Sequence, residues 1–330
     1  MAVYTHLNAG QIARYAGWFG FTADRFRGVP GGTINTIYAL SSGKKKYILR
    51  LLENRSRTDA LFEDALLCHL RAQGLSVPIM LNSSRYGRVV SLDARQHLSI
   101  FEWMPGREIA PFELQPQHTE QVGRYIGKLH RATPSLRRRR RNRFSPQHID
   151  RKLSVCERFV RKAGSREMVK DAQILRRELE RFQWPERLPA GIVHSDLFVD
   201  NAFFSRGRLS GVIDYEMACN APFIYDLAVA LLDWCFEHDR FVRPRARALL
   251  DGYQRERGLT VPERAGLFAM CRFVAARYAT TRLHDFEVIA VPEEDRTYKD
   301  YRHYMARLAA LRGLGARGLR ELADSTVSSR

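Results

Sequence analysis

Short apolar runs separated by polar turns dominate the first hundred residues. Segments 33–40 (TINTIYAL) and 47–52 (YILRLL) are rich in β-branched and aromatic residues, which predicts two strands, with Gly43 and lysines 44–46 turning between them. Residues 60–71 place Leu66, Leu67 and Leu70 on one helical face, and Gly74 stops that helix. Segments 88–92 (RVVSL) and 98–103 (LSIFEW) predict a second hairpin. Strand–strand–helix–strand–strand is the order of a small α+β lobe.

Past Pro105 and Gly106 the period changes to that of helices. Val122, Tyr125, Ile126 and Leu129 follow i, i+3, i+4, i+7, one buried helix face. Residues 136–147 are basic and contain a proline, and read as a loop. Residues 151–183 read as one long, polar, exposed helix. Two short strands are expected at 191–194 (GIVH) and 211–214 (GVID), then helices near 223–238, 243–256, 261–284 and 298–323. No internal repeat is visible.

Composition narrows the class. At 330 residues, with 45% apolar and 27% charged side chains, the chain has the profile of a globular protein of about two domains. That profile excludes disorder, collagen-like repeats and a disulfide miniprotein. No run approaches the roughly 18 apolar residues of a membrane helix; the longest, 227–236, contains Asp233 and follows Asp226. Asn8, Gln11 and Arg14 stand where a signal peptide needs an apolar core, so a cytoplasmic location with no membrane association is expected. The five cysteines (Cys68, Cys156, Cys219, Cys235, Cys271) form no CxxC pair and are expected to be reduced and mostly buried.

Charge is the outlier, at +18. Such an excess favours anionic partners, nucleotides included. Six arginines lie in 137–143, which raises a nucleic-acid patch as one alternative. No aromatic residue interleaves with them, so a solvated loop is the simpler expectation and nucleic-acid binding is not expected.

The informative stretch is 191–216, GIVHSDLFVDNAFFSRGRLSGVIDYE. His194, Asp196 and Asn201 follow the first strand, and Asp214 closes the second. Mg²⁺ takes oxygen ligands and keeps substrate phosphates in its shell. Asn201 and Asp214 supply suitable oxygens, which leaves Asp196 to accept the proton of an attacking hydroxyl. Phosphoryl transfer needs mainly positioning and charge neutralisation, and this set offers both. Each half alone is a short pattern; the two together, after a small α+β lobe with a Gly-containing turn, point to catalysis. Asp200 is read as a turn residue and His194 as a buried structural histidine.

At these residues the chain resembles the aminoglycoside phosphotransferase and choline kinase superfamily, and within it the bacterial homoserine kinases. The likeness runs nearly end to end. It is carried by the opening MAVYT, the Gly-rich turn PGGTINTIY (30–38), HSDLFVDN (194–201), DYEMACN (214–220) with IYDLA (224–228) and DWCFE (233–237), and RYATTRLHD (277–285). The last of these is similar to homoserine kinases in particular.

The resemblance implies an α+β, two-lobed protein-kinase-like fold, with a small antiparallel-sheet N-terminal lobe and a mainly helical C-terminal lobe. Its expected bounds are a nucleotide-binding lobe at 1–101, a hinge at 102–106 and a catalytic and substrate lobe at 107–330. It implies ATP and Mg²⁺ as cofactors, Asp196 as catalytic base, and Asn201 and Asp214 as metal ligands. Gly31, Gly32 and Thr33 are expected to close over the phosphates, and the backbone of Glu102 and Met104 to meet adenine. Glu63 matches the helix carboxylate that pairs with a strand lysine, but Arg50 stands in the lysine's place, so a planar fork replaces a point charge. Lys46 is a second candidate for the phosphate contact. Asp226 is expected to brace the catalytic loop.

The favoured acceptor is a small molecule with a hydroxyl, L-homoserine, met by a monomeric enzyme. Its carboxylate calls for arginine: Arg277 and Arg282 border the stripe Leu267, Met270, Cys271, Val274. Asp233 or Glu216 is the candidate for its ammonium. Choline would need an aromatic cage, for which Tyr225, Trp234 and Phe236 lie in the right stretch, though their spacing also suits helix core. A polycationic aminoglycoside suits a chain of +18 poorly. A protein hydroxyl, or an inactive kinase-like scaffold that binds nucleic acid, are the remaining alternatives; retention of Asp196, Asn201 and Asp214 argues against the scaffold.

Overall fold

The computed structural model describes residues 5–29, 35–53, 56–184, 187–289 and 299–324. The chain forms two compact units. The first runs to Pro105 and takes in Gly211–Glu216; the second holds Gly106–Ser210, Met217–Ala290 and the chain from Lys299. Gly211–Glu216 therefore packs with the first unit, where the sequence reading placed it in the second. Val212 donates its N–H to the Ser76 carbonyl at 3.2 Å, and Gly211 gives room to the Met104 thioether.

In the first unit, α1 (Ala9–Trp18) begins on a capping box in which Asn8 and Gln11 satisfy each other's backbone N–H. Five antiparallel strands follow: β1 (Arg25–Gly28), β2 (Thr36–Ser42), β3 (Lys45–Leu52), β4 (Val90–Ser91) and β5 (His97–Glu102), in the order β1-β2-β3-β5-β4. Helix α2 (Arg57–Ala72), capped by the Ser56 hydroxyl, sits between β3 and β4 in the chain. Alternation along β3 sets its two faces. Tyr47, Leu49 and Leu51 pack with Ile12 and Tyr15 of α1 and with Tyr38 and Leu40 of β2. Ile48, Arg50 and Leu52 take the other face, which puts Arg50 on the side opposite α1.

Helix α1 and strand β1 are not anticipated by the sequence reading: α1 buries only Ile12, Tyr15 and Ala16, and β1 is almost wholly exposed. The lysine turn is also corrected. Lys45 pairs with Ser42 and Lys46 with Ser41, so only Gly43 and Lys44 turn the chain.

The second unit contains α3 (Pro116–Ala132), α4 (Pro146–Ala163), α5 (Arg166–Arg181), the strands β6 (Ala190–Val193), β7 (Ala202–Ser205), β8 (Arg208–Val212, whose last two residues belong to the first unit) and β9 (Cys219–Pro222), then α6 (Ile224–Trp234), α7 (Arg243–Glu256), α8 (Val261–Arg282) and α9 (Arg302–Asp324). Strand β6 pairs with β9 antiparallel, and β7 with β8. The single helix expected over 151–183 is two helices: Gly164 adopts φ 71° and ends α4, a conformation that L-residues with side chains disfavour. Nor are they wholly polar, since α4 buries Ile149, Leu153, Cys156 and Val160. Glu178 of α5 is buried and takes Arg272 of α8 and Arg312 of α9, tying three helices together.

Helices α3 and α7 meet backbone to backbone. A Cβ on Gly123 would lie 2.0 Å from the Leu249 carbonyl oxygen, and one on Gly252 would lie 2.1 Å from that of Glu120. Helix propensity favours alanine over glycine by about 1 kcal/mol. Gly123→Ala is nevertheless expected to destabilise the protein by about 1–3 kcal/mol, because the helices must separate; denaturant unfolding that shows stabilisation would contradict this packing.

No helix among the described residues is long and apolar enough to cross a membrane. All five cysteines are free, with Cys68 exposed and the others buried. Burial pushes the thiols of Cys156 and Cys219 up to about 12, so both stay protonated and inert at neutral pH.

Candidate active site

In the second unit the site is built where β6 ends. Asp226, in the first turn of α6 and fully buried, accepts from the backbone N–H of His194 at 2.8 Å and of Ser195 at 2.7 Å. Ser195 holds φ 66°, an uncommon conformation for a residue with a side chain. That conformation is held by the Asp226 bond and by the Ser195 hydroxyl, which donates to the Met217 carbonyl at 2.6 Å. The sharp turn delivers Asp196, half-buried, to the end of the strand.

Behind Asp226 runs a chain of polar contacts. His130 Nε2 lies 3.1 Å from Asp226 Oδ2, and its Nδ1 lies 3.0 Å from the Tyr253 hydroxyl, which accepts from Arg257 at 2.7 Å. Burial lowers the His130 pKa, although Asp226 pulls the other way, so the ring is neutral at pH 7. The consistent assignment has Nε2–H donating to Asp226 and Nδ1 accepting from Tyr253. His194 is buried, and its Nδ1 accepts from the Asp196 N–H at 3.3 Å, a structural role.

One oxygen of Asp196 is spoken for: the Tyr278 hydroxyl donates to Oδ1 at 2.7 Å. Asn201, in the short turn Val199–Asn201 that also holds Asp200, donates its Nδ2 to the Asp196 carbonyl at 2.8 Å. That bond orients the amide so that Oδ1, the atom a hard cation takes, is its remaining polar group.

The two carboxylates considered for the ammonium both have protein partners. Asp233 Oδ2 accepts from the Val199 N–H at 2.9 Å, and Oδ1 lies 3.3 Å from Arg307 Nη1. Each oxygen of Asp233 thus has one protein partner, and the Val199 bond ties it to the loop that follows Asp196. Trp234 does the same from the next position, its Nε1 donating to the Leu197 carbonyl at 3.0 Å. Glu216 belongs to the first unit, is buried and accepts from Asn35 Nδ2.

The two candidate arginines differ. Arg282 donates to the Asp300 carbonyl at 3.2 Å and lies over the Tyr304 ring. Arg277 is 2% exposed and stacks between Phe144 and Tyr278, 3.4 and 3.7 Å from their ring centroids. It has no carboxylate partner among the described residues, and its Nε has no hydrogen bond. Tyr225, Trp234 and Phe236 fill the core, as their helical spacing suggested, and form no open cage. The basic run is partly structural: Arg140 pairs with Asn220 through backbone and side chain and donates Nε to the Ala218 carbonyl.

In the first unit, Arg50 and Glu63 form a buried fork, with Nη1–Oε1 at 3.1 Å and Nη2–Oε2 at 2.6 Å. Burial pulls the Arg50 pKa down, but Glu63, then Glu216 and Asp214, outweigh it and hold the guanidinium charged. Asp214 thus lies within electrostatic reach of Arg50, with φ 64°, an αL conformation that aspartate tolerates better than most residues. Lys46 instead lies over the Trp103 ring, 5.5 Å from its centroid. The Glu102 N–H already donates to the Ile79 carbonyl, which leaves its C=O as the backbone group for a base. Met104 packs against Gly211. Gly31, Gly32 and Thr33 lie outside the described residues.

Tyr278 escapes sequence reasoning. It continues the stripe Leu267, Met270, Val274 by helical spacing and reads as core; the available signal is its place in the segment RYATTRLHD, beside Arg277.

Comparison with known proteins agrees with this architecture. Residues 25–259 match the model of the Phosphotransferase enzyme family. The chain is 35% identical over 313 residues to a homoserine kinase of Granulibacter bethesdensis, covering 93% of this chain and 96% of that one. It is 32% identical over 322 residues to a homoserine kinase of Parvibaculum lavamentivorans, covering 96% and 98%. Among solved structures, an amicoumacin kinase in complex with AMP-PNP and Ca²⁺ superposes with a TM-score of 0.69 at 18% identity, covering 97% of this chain and 94% of the other. The α+β fold is therefore that of kinase-like phosphotransferases, and the chain belongs to the phosphotransferase enzyme family.

Proposed function

We propose that the protein transfers the γ-phosphoryl group of ATP to the hydroxyl of L-homoserine. The observation that carries the acceptor is Arg277, a buried guanidinium with no carboxylate of its own among the described residues, in the turn of α8 that also reaches Asp196 through Tyr278. Asp196 favours the Arg277 charge electrostatically but forms no ion pair with it, so a ligand carboxylate would supply the missing direct partner. An amino-acid carboxylate does so bidentately, whereas choline, ethanolamine and aminoglycosides carry none. The names of the relatives point to the same substrate.

Asp196 accepts the hydroxyl proton as the oxygen attacks; the new P–O bond forms while the bond to the ADP oxygen breaks. Asn201 of the second unit, through Oδ1, and Asp214 of the first each offer the hard oxygen donor that Mg²⁺ takes. Bound by such donors, the metal would neutralise phosphate charge. Arg50, fixed by Glu63, is the candidate in the first unit for the phosphate contact, and the backbone of Glu102 and Met104 the candidate for adenine.

ADP release measured with homoserine, choline, ethanolamine, threonine and kanamycin tests the reading. Homoserine is expected to give the highest kcat/KM. Arg277→Met is expected to raise the homoserine KM about 10–100-fold, the loss of a charged hydrogen-bonded pair, with the ATP KM within about threefold. A better acceptor lacking a carboxylate would overturn the substrate while leaving the base in place.

A further inference from the structure

Asp196 has two oxygens in different situations. Oδ1 receives the Tyr278 hydroxyl at 2.7 Å; Oδ2 has no hydrogen-bond partner among the described residues. The backbone of Asp196 is pinned on both sides, its N–H to His194 and its carbonyl to Asn201, so the freedom left is rotation of the carboxylate itself.

Tyr278 is well made to remove that freedom. Its ring stacks on Tyr304 with centroids 4.9 Å apart and planes at 22°, leans on Phe198 at 5.0 Å, and carries the Arg277 guanidinium at 3.7 Å. These neighbours leave the hydroxyl one direction in which to point. Its second acceptor, the Ser195 carbonyl at 3.2 Å, belongs to the same loop. Burial raises the Tyr278 pKa well above its ordinary value, so the group keeps its proton and acts as donor.

We propose that Tyr278 is a positioning residue: by holding Oδ1 of Asp196 it presents Oδ2 to the acceptor hydroxyl. The inference rests on the reading of Asp196 as the base. It adds that a single turn of α8 sets both ends of the acceptor, Arg277 taking the carboxylate and Tyr278 aiming the base at the hydroxyl. Misplacing a reacting group by about 1 Å can cost on the order of 100-fold in rate, which gives the contact its expected weight.

Tyr278→Phe removes the hydroxyl and keeps the ring, so the stacks on Tyr304 and Phe198 survive. The expected result is a fall in kcat of about 10–100-fold, with KM for ATP and for homoserine within about threefold. The deciding measurement is a double-mutant cycle on single-turnover rates with Asp196→Ala. In that background no carboxylate remains to be aimed, so adding Tyr278→Phe is expected to change the residual rate by less than about threefold. An equal fall in both backgrounds, the result of a folding defect or an independent role, overturns the proposal, as does an unchanged kcat in the single variant. Wild-type-like rates for Asp196→Ala alone would remove the base instead, a failure visible before Tyr278 is tested.

Discussion

Asp196→Ala is expected to lower kcat by about two to four orders of magnitude with the fold intact, the usual contribution of a positioned general base. The fold should survive because Asp196 holds little of the structure together. It is half-buried, its backbone bonds to His194 and Asn201 do not depend on its side chain, and the Tyr278 hydroxyl keeps an acceptor in the Ser195 carbonyl at 3.2 Å. Substrate contacts attributed to Arg50 and Arg277 lie elsewhere, so both KM values should stay near those of the unaltered enzyme. Single-turnover phosphoryl transfer, with thermal unfolding as control, checks this; a rate within tenfold of the parent would contradict it.

Asp226→Ala is expected to produce the larger structural loss, at least about 3 kcal/mol of unfolding free energy. Three donors lose their acceptor at once: the N–H groups of His194 and Ser195 and Nε2 of His130. Each buried donor left without a partner costs about 1–3 kcal/mol. Ser195 also loses one of the two bonds that hold its φ of 66°, so the loop carrying Asp196 relaxes and activity falls with stability. Asp226→Asn keeps one acceptor oxygen and should lie between the parent and the alanine variant. Denaturant titration checks this, and a cost below about 1 kcal/mol would mean the loop is braced elsewhere.

What the sequence discloses, and what it hides, divides along physical lines. The short apolar run YILRLL and the spacing of His194, Asp196 and Asn201 are local, and local patterns survive without partners. Glu63 is legible only through the family resemblance, since a carboxylate on a helix carries no local sign of its partner. The protein partners of Asp233 are invisible in the sequence because Val199 and Arg307 lie 34 and 74 residues away in the chain. Tyr278 was hidden for a related reason, since a tyrosine continuing a buried stripe looks like filling until its hydroxyl is seen to end on Asp196. Helix α1 buries too few side chains to announce itself, and Gly164 breaks a polar stretch in which one glycine draws little notice.

Mass-spectrometric identification of the product made by the protein from ATP, Mg²⁺ and L-homoserine, alongside ADP, tests directly whether Asp196 directs the γ-phosphoryl group onto the homoserine hydroxyl. O-phosphohomoserine formed in equal amount to ADP, and lost with Asp196→Ala, is the expected result. ADP formed without a phosphorylated amino acid, or a product yield untouched by the substitution, would contradict the account.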